Sequence, residues 1–105
     1  MKKSYETPAE LLAKKRPSRE TLAKQVRETL VSLGGEAHRR MVIEQVAKTL
    51  GHDVKQIPED LQTALILSFE TTLRNERRRA AYGFHLPFGE GSHRWGLRPK
   101  PAMLH

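Results

Sequence analysis

Four arginines, one asparagine and one glutamate occupy six consecutive positions within the stretch "LRNERRRAAYG" at residues 73–83. A guanidinium group can bind phosphate or pair bidentately with guanine, and an asparagine amide can pair with adenine. Arginines also suit the last turn of a helix, where each cation stabilises the helix dipole by about 0.3–1 kcal/mol. Because four cations this close repel one another and Glu76 offsets only one of them, the stretch favours contact with a polyanion over a solvated helix end.

The distribution of charge along the chain indicates the same class of partner. The formal net charge is +7, and it is carried by the two ends. Residues 1–24 contain seven Lys/Arg and three Glu, and residues 74–105 contain seven Lys/Arg and two Glu. Residues 25–73 contain five Lys/Arg and seven Asp/Glu, so the middle is slightly acidic. This asymmetry predicts a polyanionic partner, with nucleic acid ranked ahead of an anionic membrane surface.

Several classes of function lack the residues that they need. The chain has no cysteine, and its five histidines form no i,i+3 or i,i+4 pair, so we expect no metal site. No serine lies in a nucleophile elbow and no phosphate-binding loop is present, so we expect neither an enzyme nor a cofactor nor a small-molecule substrate. The longest apolar run, "ALIL", is too short to span a membrane, and no secretory signal is evident, which favours the cytoplasm.

Apolar residues at helical spacing predict three helices. The first should cover residues 19–33, with Ser18 as its N-cap, and the second residues 38–50. The third should begin at Pro58 and continue to Gly83, with fraying after Arg79.

The pattern then becomes extended. Phe84, Leu86 and Phe88 alternate before a "GEGS" turn, and Trp95 and Leu97 follow it, which predicts a β-hairpin. Pro87 would confine its strand to a sheet edge, because proline cannot donate a ladder hydrogen bond. We expect Trp95, a lone tryptophan on a strand, to lie in the core.

The predicted fold class is therefore α+β and mainly α, with three helices followed by a C-terminal hairpin. We expect one domain at residues 19–97, a flexible basic arm at residues 1–18 and a basic tail at residues 98–105. Three segments within residues 19–99 carry a resemblance to a known family: "GGEAHRRMVIEQVAKTLG", "FETTLRNERRRA" and "HRWGLRP". On these segments, residues 19–99 resemble a winged helix-turn-helix domain, and most closely the N-terminal domain of Mrr-type restriction proteins. A looser resemblance is to the HARE-type helix-turn-helix domain.

This resemblance implies that helix three enters the major groove of DNA and that the hairpin, the wing, lies along the backbone or in the minor groove. The candidate DNA-binding residues are Arg39, Arg40, Thr71, Arg74, Asn75, Arg77, Arg78, His93 and Arg94. Arg74, Asn75 and Arg78 are the candidate base readers on the exposed face of helix three, and Arg77 and Arg79 are candidate phosphate contacts or cap charges. At the start of helix two, Arg39 and Arg40 would reinforce phosphate binding by free backbone N–H groups.

The expected function is sequence-specific or semi-specific binding of double-stranded DNA, in transcription regulation or as a chromosome or phage accessory factor associated with the nucleoid. One alternative is a protein-interaction module whose basic face binds an acidic partner. RNA binding ranks lower, because the sequence lacks the aromatic stacking platform that readers of single strands use. A homodimer is left open, since a palindromic target would require one and the arm at residues 1–18 could supply the contact.

Overall fold

Four helices and three strands follow one another over residues 18–98, the part of the chain that this computed structural model describes. In chain order they are α1 (Arg19–Ser32), β1 (Glu36–His38), α2 (Arg39–Thr49), α3 (Glu59–Arg74), α4 (Glu76–Tyr82), β2 (Phe84–His85) and β3 (Arg94–Leu97). The predicted arm and tail lie, apart from Ser18 and Arg98, outside the described residues. The fold is α+β and mainly helical, as the sequence predicted.

The first two predicted helices are confirmed as α1 and α2. Ser18 caps α1, because its Oγ accepts the backbone N–H of Thr21 at 3.1 Å. The helix ends at the glycine pair, where Gly35 has a φ of 102° and donates its N–H to the carbonyl of Leu30 at 2.8 Å. Glycine adopts this left-handed conformation without steric cost. Both helices bury one face at helical spacing, formed by Leu22, Ala23, Val26, Thr29 and Leu30 in α1 and by Val42, Ile43, Val46 and Ala47 in α2.

The prediction of one unbroken third helix is wrong. The helix α3 ends at Arg74 and a second helix, α4, begins at Glu76. Between them Asn75 is extended, with φ −94° and ψ 113°, and its side chain caps α4. The physical reason is that an asparagine side chain competes for backbone N–H groups, which favours a cap over a helix interior. At the other end of α4, Gly83 terminates the helix with a φ of 80°.

The predicted hairpin is present, but it belongs to a larger sheet. The three strands are antiparallel in the order β1-β3-β2, and β1 is a strand that the sequence patterns did not indicate. Ala37 of β1 lies opposite Trp95 of β3, and Phe84 of β2 lies opposite Leu97. The strand β2 is at an edge and is shorter than predicted, which agrees with the edge position inferred from Pro87.

Three aromatic rings join α3 to the sheet. The ring of Phe69 stacks on that of Trp95 with centroids 4.2 Å apart and on that of Phe84 with centroids 4.7 Å apart. All three side chains are buried, which confirms Trp95 as a core residue. Because aromatic contacts of this kind contribute beyond their buried area, they hold the hairpin firmly against α3.

Candidate nucleic-acid interface

The break at Asn75 divides the arginine run between two helices. Asn75 Oδ1 accepts the backbone N–H of Arg78 at 3.0 Å, and the Asn75 carbonyl accepts the N–H of Arg79 at 2.7 Å. Asn75, Arg77 and Arg78 therefore do not lie on the third helix as predicted; Asn75 is the junction, and Arg77 and Arg78 belong to α4. An asparagine whose acceptor oxygen caps a helix must leave that cap before it can pair bidentately with a base.

Arg78 lies against α1 rather than beside α3. Its Nη1 is 3.6 Å from Glu20 Oε1, and its guanidinium carbon lies 5.8 Å from the centroid of the Tyr82 ring. Its Nε is buried and has no hydrogen-bond partner among the described residues. The half-buried side chain thus helps to pack α4 on α1.

The same contacts affect Tyr82. Its hydroxyl lies 3.4 Å from Glu20 Oε2, and Arg27 Nε donates to its backbone carbonyl at 3.2 Å. Burial raises the pKa of the Tyr82 phenol, and the Glu20 carboxylate raises it further, whereas the Arg78 guanidinium acts in the opposite direction. These interactions connect α1 and α4 through polar side chains.

Arg74 and Thr71 remain on the exposed end of α3. Arg74 Nη2 is 3.9 Å from Glu70 Oε1, and the Arg74 side chain is 76% exposed. An exposed i,i+4 pair contributes only about 0.3–0.5 kcal/mol, so Arg74 can exchange this partner for another anion at little cost. Thr71, one residue beyond Glu70, is also exposed.

The start of α2 is bonded to its neighbours rather than open. His38 Nδ1 accepts the N–H of Arg40 at 3.0 Å, and the carbonyl of His93 accepts the N–H of Arg39 at 2.7 Å. The backbone N–H groups of Arg39 and Arg40 are therefore already satisfied and are not among the free N–H groups that a helix start can offer to phosphate. A phosphate bound here would be held by the side chains of Arg39 and Arg40, which are half-buried and exposed respectively.

Arg94 begins β3 and is engaged within the sheet. Its Nε donates to Glu36 Oε2 at 2.7 Å, and its backbone N–H donates to Ser92 Oγ at 3.1 Å. Since the Glu36 side chain is only 22% exposed, this ion pair is better shielded from water than the pair formed by Arg74. Arg94 thus joins β3 to β1, while its neighbour His93 is exposed.

Three adjoining grooves bring some of the candidate residues together. The central groove, about 300 Å³, lies between α3 and the loop joining β2 to β3, and Arg39, Arg74 and His93 line it. It shares Arg39 and His93 with a groove of about 430 Å³ at the start of α2. It shares Leu73, Arg74, Leu86 and Glu90 with a groove of about 660 Å³ beside α4.

We call this continuous surface the basic cleft. Its lysine and arginine side chains are Arg39, Arg40, Lys55, Arg74, Arg79 and Arg98, and its carboxylates are Glu44, Glu70 and Glu90. Three histidines, His38, His85 and His93, also line it. With six cations and three carboxylates, the cleft is net positive and can attract a polyanion.

The cleft includes some candidate residues and leaves out others. Arg39, Arg40, Arg74 and His93 line it, whereas Thr71, Asn75, Arg77, Arg78 and Arg94 are not among its lining residues. It also includes Arg79, which was a candidate phosphate contact or cap charge, and Lys55 and Arg98, which were not candidates. The arginine run indicated Arg79 from the sequence. Lys55 lies in a connecting loop and Arg98 at the start of the predicted tail, and no local sequence pattern marks either of them as a binding residue.

Two further features bear on the kind of site. Over residues 18–98, no cluster of three or more His, Cys, Asp or Glu side chains has the placement to hold a metal ion. No helix in the same part of the chain is both long enough and apolar enough to cross a lipid bilayer.

Comparisons with protein-family models, with curated proteins and with solved structures found no match.

Proposed function

We propose that this chain is a double-stranded DNA-binding protein with a winged-helix architecture. The observation that carries the proposal is the basic cleft, which gathers cationic side chains from α2, α3, α4, the loop between α2 and α3, and the residue after β3 on one surface. The order of elements along the chain, helices followed by a hairpin, supports the winged-helix assignment.

In the proposed complex, the C-terminal turn of α3 enters the major groove. Arg74 is the residue best placed to reach base edges, because it is highly exposed and its pair with Glu70 is long. Arg39 and Arg40 contact phosphates on one side of α3. His93, in the loop that joins β2 to β3, lies next to Arg39 and follows the backbone or the minor groove there. The protein would act at the nucleoid, as a transcription regulator or as an accessory factor of chromosome or phage.

The test is binding of the full chain to a fluorescent duplex of mixed sequence, measured by anisotropy over a series of salt concentrations. Binding through several phosphates makes the logarithm of the association constant fall linearly with the logarithm of salt concentration. Simultaneous replacement of Arg39 and Arg74 by alanine should weaken binding and reduce the slope. Simultaneous replacement of Lys24 and Lys48 by alanine, which removes two exposed charges outside the cleft, is the matched control. A wild-type chain that fails to bind duplex at low salt would overturn the proposal.

The same positive cleft also fits an acidic protein, which is the second candidate. Competition separates the two candidates, because poly-glutamate carries charge but has neither grooves nor bases. A chain that binds poly-glutamate as tightly as it binds duplex would favour the acidic protein partner. Displacement by duplex at far lower charge concentration would favour DNA.

A further inference from the structure

Phe88 presents an aromatic ring to solvent on a turn that is held rigidly. Its exposure is 69%, higher than that of the exposed Met41 at 52%. The turn is closed by a hydrogen bond from the Gly89 N–H to the Leu86 carbonyl at 3.0 Å. Pro87, the residue before Phe88, fixes its own backbone φ and therefore stiffens the turn.

The turn is also fixed against the sheet. The ring of Pro87 lies so close to Gly96 of β3 that a Cβ placed on Gly96 would be 2.8 Å from Pro87 Cγ. Gly96 itself is buried between Glu36 and His85 in the sheet register. Because Pro87 packs directly on β3, the backbone next to Phe88 is fixed against the sheet. The exposed side chain of Phe88 therefore lies on an anchored turn.

The backbone of Phe88 lies beside the basic cleft, although Phe88 itself is not among the residues that line the three grooves. Leu86 and Glu90, two residues before and two residues after Phe88, both line the cleft. Two residues of chain span at most roughly 7 Å. Arg74 lines the same two grooves as Leu86 and Glu90, so the residues that flank the exposed Phe88 share a surface with an exposed cation.

A ligand that satisfies both features must present apolar surface and negative charge close to each other. Stacked bases flanked by phosphates have this chemistry. Proteins that bind the minor groove insert apolar side chains such as phenylalanine between base steps, which partly unstacks the bases and bends the duplex by about 20–90°.

We propose that Phe88 is an apolar wedge that enters a base step of bound duplex DNA while the arginines of the basic cleft hold the backbone. This inference rests on the proposed DNA-binding function and adds to it a residue that deforms the DNA. It makes the loop between β2 and β3 a bending device as well as a backbone contact.

The experiment compares wild type, Phe88→Ala and Phe88→Leu, with Val31→Ala as the control. Val31 is an exposed apolar residue near the end of α1, outside the cleft. Each full-length variant is bound to a short duplex that carries a donor and an acceptor dye at its two ends. Affinity is measured over a salt series, and bending is measured as the increase in energy transfer on binding.

Phe88→Ala should weaken binding about tenfold, the effect of losing one aromatic–base contact. It should leave the salt slope unchanged, because phenylalanine releases no counterions. The energy-transfer increase should be lost in Phe88→Ala and largely retained in Phe88→Leu, since leucine also serves as a wedge. Val31→Ala should match wild type in both measurements.

The other outcomes are distinct. If wild type binds duplex but leaves it straight, or if Phe88→Ala bends the duplex as wild type does, the proposed role of Phe88 is wrong and the DNA-binding proposal stands. If wild type does not bind duplex at all, the proposed function fails and the wedge fails with it. Since Phe88 is mostly exposed, its replacement should not unfold the protein, and thermal unfolding of each variant verifies this.

Discussion

The side-chain oxygen of Asn75 accepts the backbone N–H of Arg78 at 3.0 Å, and this contact separates α3 from α4. As a result, Arg74 and Arg78, which lie on either side of Asn75, reach different surfaces. Arg74 lines the basic cleft, whereas Arg78 lies 3.6 Å from Glu20 on α1. One asparagine thus decides which part of the charge run is available to a ligand.

The first prediction concerns the stability that this cap provides. Asn75→Ala removes the acceptor for the Arg78 N–H and should lower the free energy of unfolding by about 1 kcal/mol. Asn75→Asp, the matched control, keeps an oxygen acceptor at the cap and should stay close to wild type. Urea unfolding followed by the fluorescence of Trp95, the only tryptophan, measures both. An alanine variant as stable as wild type would show that the cap does not stabilise the junction.

The second prediction tests Arg74 as a base reader. A preferred sequence is first selected from a pool of randomised duplexes. Arg74→Ala should then weaken binding to that sequence by about 1–3 kcal/mol and lose the preference at one base pair. Arg78→Ala should keep the sequence preference, because Arg78 packs on α1 and does not line the cleft. If Arg78→Ala relaxes the preference and Arg74→Ala does not, the assignment of roles within the run is wrong.

The sequence predicted α1 and α2 because their apolar positions recur at helical spacing between strong stop signals. It did not predict β1, because three residues between the glycine pair and α2 carry no local pattern. That strand exists only through its pairing with β3, in which Ala37 lies opposite Trp95.

Only part of the candidate site could be predicted from the sequence, because several side chains are placed by contacts with residues far away in the chain. Arg78 and Arg94 were assigned to DNA from local pattern, but each has a glutamate partner 58 residues away in the chain. Such pairings depend on the packing of α1 and of β1, which local spacing does not reveal. Arg39, Arg74 and His93 do lie around one groove. Their role in binding DNA is a proposal that the experiments above decide.

The third prediction follows from the environment of Tyr82. Burial and the Glu20 carboxylate raise the pKa of its phenol, and the raised pKa means that the unfolded chain loses this proton first as pH increases. The stability contribution of the neutral phenol is therefore complete below about pH 10 and is lost as pH rises through the raised pKa.

Absorbance of the phenolate measures this in a Tyr5→Phe variant, where Tyr82 is the only tyrosine. The midpoint for the folded protein should exceed that of the same variant unfolded in urea. Adding Glu20→Gln should lower the pKa of Tyr82 toward its ordinary value, because it removes the nearby negative charge. Equal midpoints in folded and unfolded protein would contradict the prediction.

The fourth prediction compares two glycines that both have positive φ. Gly83 ends α4 with a φ of 80°, and its carbonyl accepts the N–H of Arg98 at 2.6 Å. A Cβ on Gly83 would lie 3.0 Å from the Arg98 carbonyl oxygen, whereas a Cβ on Gly34, at φ 90°, would meet nothing within 4 Å. An L-residue in the left-handed region costs about 1–2 kcal/mol at either position.

Gly34→Ala should therefore lower the free energy of unfolding by about 1–2 kcal/mol, through backbone strain alone. Gly83→Ala should lower it by about 1 kcal/mol more, because the added methyl group also forces the Arg98 backbone away. Urea unfolding followed by Trp95 fluorescence gives the difference directly, since the strain is common to both variants. An equal loss in the two variants would mean that residue 98 moves freely, and the strand end that carries one cation of the basic cleft would then not be fixed by α4.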